Sequence, residues 1–161
     1  MNSYLKASLL GLASGMRTLM APALVSRSLS RAQPQSVTES KLAFLAKPQT
    51  TIVFTVLAAG ELVGDKLPFI PSRLDARPLT GRLVMGSVCG AAVCLADGKP
   101  AGAGLLLGGL CAIAGAFGGY HLRQAADKAT GIADPWIALV EDALAIGLCL
   151  AALSTSGKAA D

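Results

Sequence analysis

The feature that most constrains this chain is a set of five apolar stretches, each near or above the length that crosses a bilayer, four of which carry charged residues. Hydrocarbon tolerates ionised side chains poorly, at about 2.5–3.5 kcal/mol for each one near a helix centre. Four or five left alone would cost more than about 10 kcal/mol, comparable to the stability of a whole fold. A chain that keeps them must pair them or wet them. Composition points the same way: 53% of residues are hydrophobic and 15% are charged, against about 25% charged in soluble domains. The same balance excludes a disordered chain, which would be polar.

The stretches are continuous and rich in Ala and Leu, whereas a membrane barrel shows alternating segments of about ten residues. The expected fold class is all-α, a polytopic membrane helix bundle of about five transmembrane helices in one integral membrane domain. The helices are expected over about 4–25, 48–66, 78–96, 101–122 and 135–154. The first could be read as a cleaved signal, with Lys6 before an apolar run and Ala21 and Ala23 as small residues. Arg17 interrupts that run and Pro22 sits inside the would-be cleavage site, so the segment is kept as a membrane helix. KLAFLAK, from Lys41 to Lys47, reads as a short interfacial segment. Pro48 suits the first turn of the second helix, where a missing N–H costs nothing. Asp97 to Pro100 (DGKP) reads as a tight turn. Asp134 and Pro135 read as the N-cap and first position of the last helix.

The formal charge of +4 is spread over loops, with no basic block or aromatic platform. Nucleic acid is therefore not an expected partner. Membrane lipid is, since basic loops suit anionic headgroups. Cys89, Cys94, Cys111 and Cys149 all fall in apolar stretches and form no C-x-x-C pair. They read as small buried hydrophobes rather than metal ligands. No motif calls for a cofactor. In a five-helix topology, seven basic residues (Lys6, Lys66, Arg73, Arg77, Arg82, Arg123, Lys128) face six (Arg27, Arg31, Lys41, Lys47, Lys99, Lys158). That is no bias for the positive-inside rule to act on. Either several basic residues serve a site, or the chain inserts both ways.

Glu61 and Asp65 are spaced i, i+4 on the second helix, and so share a face. Glu141 and Asp142 lie about two turns into the last helix. Their candidate partners are Arg17, Lys66, Arg73, Arg82 and Arg123. Gly86 and Gly90, Gly104 and Gly108, and Gly115 and Gly119 each lie four apart, the small-xxx-small spacing of close helix contact. Arg82 continues the first of these faces one turn earlier. GLASGMR (11–17) echoes GAFGGYHLR (115–123), each followed one helix later by acidic residues. In a five-helix topology the two units insert in opposite senses, a weak inverted repeat that would put a site near the midplane. Ser14, Tyr120 and His121 are lesser candidates, read respectively as back-bonded to its own helix, an interface anchor and a solvated residue.

In order along the chain, LGLASGMRTLMAPAL, GELVGDKLPFIPSR, RPLTGR, GAFGGYHLR and VEDALAI are similar to the bacterial membrane family labelled domain of unknown function 4126. The resemblance covers nearly the whole chain, and the block from Gly60 to Arg73 is its most specific part. It implies a small multi-spanning membrane protein and implies no activity; the expected location is the bacterial inner membrane. The family-motif charges are Arg17, Glu61, Asp65, Lys66, Arg73, Arg82, Arg123, Glu141 and Asp142. The leading expectation is a transporter or channel-like permease for a small charged solute or ion. In it, Glu61, Asp65, Glu141 and Asp142 would serve as cation- or proton-coupling carboxylates, balanced by Arg17, Arg82 and Arg123. Two alternatives stay open: an intramembrane metal-dependent enzyme on a phosphorylated lipid, and a non-catalytic assembly protein. A pore within one copy of 161 residues is tight, which makes a homodimer a reasonable expectation.

Overall fold

The computed structural model describes residues 1–64, 76–130 and 134–154. The described residues are all-helical: α1 (Ser3–Met16), α2 (Met20–Ala32), α3 (Gln35–Thr38), a 3-10 turn (Ala43–Ala46), α4 (Pro48–Gly64), α5 (Ala76–Ala96), α6 (Ala101–Thr130) and α7 (Asp134–Leu153). Two of these helices carry spans long and apolar enough to cross a membrane, Pro78–Ala96 and Ala101–Ala126.

The helix expected over 4–25 is two helices. α1 stops at Met16, Arg17 is extended (φ −134°, ψ 111°), and α2 begins at Met20. Pro22 supplies the reason. A continuous helix would need its absent N–H to bond the Thr18 carbonyl, and its ring would strike that same carbonyl. In the first turn of α2 the proline costs nothing. The chain also reverses at the break. The Ser14 hydroxyl lies 3.3 Å from the Arg82 carbonyl near the start of α5. The Ser36 hydroxyl, just past α2, donates to the Leu95 carbonyl at the end of α5 (2.8 Å). Some 13 residues of α5, about 20 Å, separate those levels, so α2 climbs back beside the route α1 came down. α2 then ends on Gln33 in the left-handed region (φ 45°), whose side-chain amide donates to Ser30 and Ala46 carbonyls (3.0 and 2.7 Å).

The segment 41–47 is less interfacial than its sequence predicts. Phe44 is exposed, but Leu45 and Ala46 turn into the core beside Val25, Leu29 and Val37. α4 descends against α2: Thr51 meets Ser26 (3.0 Å) near one end, and Glu61 meets Leu19 near the other. α6 continues past the expected end near Leu122 to Thr130, because QAADKAT offers good helix formers and no Gly or Pro before Gly131.

α5 and α6 meet along their glycines. A Cβ on Gly90 would collide with the Gly104 carbonyl, and one on Gly86 would lie 2.7 Å from the Gly108 carbonyl oxygen. α1 grips the same helix: Gly11 faces Gly108, Gly15 faces Ala112 and Gly115 faces Leu12. These small faces are packing surfaces, where the absence of side chains lets helix backbones approach closely. Numbers rise together along both chains in this contact, so α1 and α6 run parallel. That overturns the inverted repeat. The extra reversal after Arg17 changes the parity of every later helix, and the two echoing units do not insert in opposite senses. It also moves Lys6 to the bundle end that carries Arg27, Arg31, Lys41, Lys47 and Lys99.

The outward surface is apolar and part of the interior is ionic. Ile52, Val56 and Val63 on α4, Leu106 and Leu110 on α6, and Val140 and Leu144 on α7 are exposed, while Arg17, Arg82, Glu141 and Asp142 are buried. Cys89, Cys94 and Cys149 are buried free thiols, and Cys111 is half-buried.

Candidate functional site: charges gathered at a helix break

The break leaves backbone groups to satisfy inside the bundle, since residues 17–19 belong to neither helix and a buried backbone N–H needs a partner. Glu61 answers two of them. Its Oε1 accepts from the Thr18 N–H (2.8 Å) and its Oε2 from the Leu19 N–H (2.9 Å). A carboxylate at a helix N-terminus also meets the positive end of the helix dipole. Glu61 thus clamps the unwound turn ahead of α2 from another helix, reaching 42 and 43 residues back along the sequence. The Ser14 hydroxyl, 3.4 Å from the Thr18 carbonyl in the break and 3.3 Å from that of Arg82 on α5, can donate its single hydrogen to either.

Arg17 occupies the break itself. Its extended backbone lets the side chain leave α1 and reach α7, where Nε forms an ion pair with Asp142 Oδ1. Only 2% of the Arg17 side chain and 12% of that of Asp142 is exposed, so this pair is shielded from screening by water. One residue earlier, Glu141 sits 4.0 Å from Arg123 Nη1, at the outer limit of an ion pair. Gly119 makes room for it: a Cβ there would lie 3.1 Å from Glu141 Oε1. Arg82 is buried on α5 one turn below the glycine contact.

Of the nine charged residues the sequence singles out, the structure gathers Arg17, Glu61, Arg82, Arg123, Glu141 and Asp142 around the 17–19 break. Asp65, Lys66 and Arg73 lie outside the described residues, and so does the face that Asp65 is expected to share with Glu61. Among the described residues no group of His, Cys, Asp and Glu has the arrangement of a metal site.

A second buried ion pair escaped the sequence reading. Lys6 Nζ, 5% exposed, lies 2.9 Å from Asp97 Oδ2 in the α5–α6 turn, and that oxygen also accepts from the Ser3 hydroxyl (2.8 Å). In the sequence Lys6 bears on topology and on a possible signal segment, and Asp97 on a turn, and neither points to the other. A lysine one turn inside an apolar helix was the available signal. Thr18 and Leu19 act through their backbones, which no side-chain motif can reveal. Pro22 was the signal for them.

No curated protein and no solved structure matches the chain. Residues 5–156 match the family described as Domain of unknown function (DUF4126), and with nearly its full length matched the chain belongs to that family.

Proposed function

We propose that this protein is a small polytopic membrane protein of the transporter or channel class, moving a small charged solute or ion past the 17–19 break. In this reading α4 to α7 cross the membrane and α1–α2 enter it as a hairpin. At 14 and 13 residues, each arm spans about 20 Å, short of the roughly 30 Å hydrocarbon core. The exposed aliphatic residues of α4, α6 and α7 face acyl chains, and the ionic interior is shielded from them.

The observation that carries the reading is the interrupted helix with charges from four other helices around it. Irregular backbone at membrane depth is tolerated where it is buried in protein or lines a cavity, and interrupted helices are recurrent solute sites because their ends expose oriented dipoles. Glu61 is the coupling group. Ionised, it holds the Thr18 and Leu19 N–H groups; neutralised by a proton or displaced by a solute anion, it releases two donors beside Arg17. Arg17 and Asp142 hold the opposite wall.

The test is flux into proteoliposomes loaded with dyes for protons, sodium, potassium, chloride and phosphate. Flux above empty liposomes for one of these ions, lost in Glu61→Gln and Asp142→Asn, supports the reading. Flux unchanged in both variants overturns this site, and none above background for any ion overturns the class. The arrangement has its own test: reporters placed before Ser3 and after Leu153 should report the same side of the membrane, where five crossings would put them on opposite sides.

A second reading, a non-catalytic assembly protein, draws on the fact that Glu61, Arg17 and Asp142 already satisfy one another or nearby backbone. In that case the charge variants lose stability and no flux is found.

A further inference from the structure

At the bundle end opposite the break, α2 and α7 form a groove of about 610 Å³. Its lining joins the apolar Leu24, Leu150 and Leu153 to the polar Arg27, Ser28 and Arg31. Arg27 and Arg31 are one helical turn apart and both are exposed. Among the described residues neither guanidinium meets a carboxylate, which sets them apart from the paired arginines at the break. Leu150 is 54% exposed, so the apolar side of the groove opens onto the same outward surface as the aliphatic belt.

We propose that this groove binds one acidic glycerophospholipid from the surrounding membrane, its phosphate held between Arg27 and Arg31 and one acyl chain laid along Leu24 and Leu150. Charge complementarity selects the occupant. Two guanidinium groups offer parallel donors matched to a phosphate, and Ser28 between them adds a hydroxyl. The leucines that share the groove are of no use to a soluble anion and fit a lipid tail. The surroundings favour the same class, since Lys41, Lys47 and Lys99 are exposed at this end and a basic bundle end concentrates anionic lipid. The helix geometry also orders the parts: Leu24 lies toward the break and Arg31 toward the end of α2, so head and tail are oriented as a leaflet orients them. Occupancy would pin α2 to α7 and so brace the upper arm of the hairpin whose lower end carries Arg17.

The proposal rests on the membrane reading above, and the experiment separates the two. The full chain, extracted in detergent and exchanged with phosphatidylglycerol or phosphatidylcholine, is examined by native mass spectrometry. We expect one phosphatidylglycerol retained with a preference of about tenfold or more over phosphatidylcholine, insensitive to millimolar inorganic phosphate. R27Q/R31Q should abolish that preference, and K41Q/K47Q should keep it. Both pairs are surface changes, and an unchanged thermal unfolding midpoint in lipid-free detergent checks that they fold. Equal retention of the two lipids by the parent protein overturns the site. Equal losses in the two variant pairs reduce it to general surface charge, and competition by inorganic phosphate makes it a soluble-anion site. A chain found in the soluble fraction after lysis would instead overturn the membrane reading itself.

Discussion

Two buried ion pairs start from the same helix, and they differ in company. Lys6 near the beginning of α1 meets Asp97 in a turn at the bundle end, where the Asp97 side chain is 26% exposed and a serine hydroxyl completes the contact. Arg17, just past the other end of α1, meets a far more deeply buried Asp142, with Glu61, Arg82 and Glu141 close by and unwound backbone between them. The first pair ties α1 to the α5–α6 turn and has a structural use that needs nothing further. The second keeps four charged helices and an irregular segment together. Burial of a charge therefore does not by itself identify a site. What distinguishes the break is charge converging on backbone groups that could serve something else.

The contrast can be broken or sharpened by mutation, read as thermal unfolding in detergent. The largest effect belongs to neither pair. Gly90→Val drives a side chain into the Gly104 carbonyl and should leave no assembled α5–α6 contact, seen as loss of monodisperse protein. Arg17→Met comes next, because it strands Asp142 inside the bundle; about 3–5 kcal/mol is expected for removing one partner of a buried pair. Arg17→Met/Asp142→Leu should recover much of that loss, and failure to recover would mean the arginine has a structural partner besides Asp142. Glu61→Ala strips the turn ahead of α2 of its acceptors, and a loss of about 1–2 kcal/mol follows from the two orphaned N–H groups of Thr18 and Leu19. Asp97→Asn should cost least, about 1 kcal/mol, since the partly wetted asparagine still offers an oxygen to accept from the buried Lys6 Nζ. An Asp97→Asn loss matching that of Arg17→Met would erase the distinction between the two regions.

Much of the bundle was legible because helices declare themselves locally. The apolar stretch after Pro48, the glycine-spaced runs around Gly86 and Gly108, and the acidic stretch at Glu141 each lie within one helix. Six of the nine singled-out charges cluster at the break, for the reason that led to them: lone charge in an apolar run demands company. The break was harder. GLASGMRTLMAPAL reads as one continuous apolar segment, and only Pro22 marks the place where a carbonyl four residues earlier loses its partner. A single proline in a 30-residue region can as easily kink a helix as reverse it, and the sequence has no means of choosing.

That choice belongs to the tertiary structure. Glu61 makes the reversal tolerable by satisfying Thr18 and Leu19 from a helix more than 40 residues away in sequence, and this long-range bond has no local signature. Once the chain turns there, the direction of every later helix is set, α1 lies parallel to α6, and Lys6 finds Asp97. Composition and periodicity determined that the chain is helical and that its interior charges must be gathered, because both follow from the energetics of single residues in their immediate neighbourhood. Which charge meets which, and on which side of the bundle each helix starts, depended on one backbone reversal whose stabilising partner comes from elsewhere in the chain.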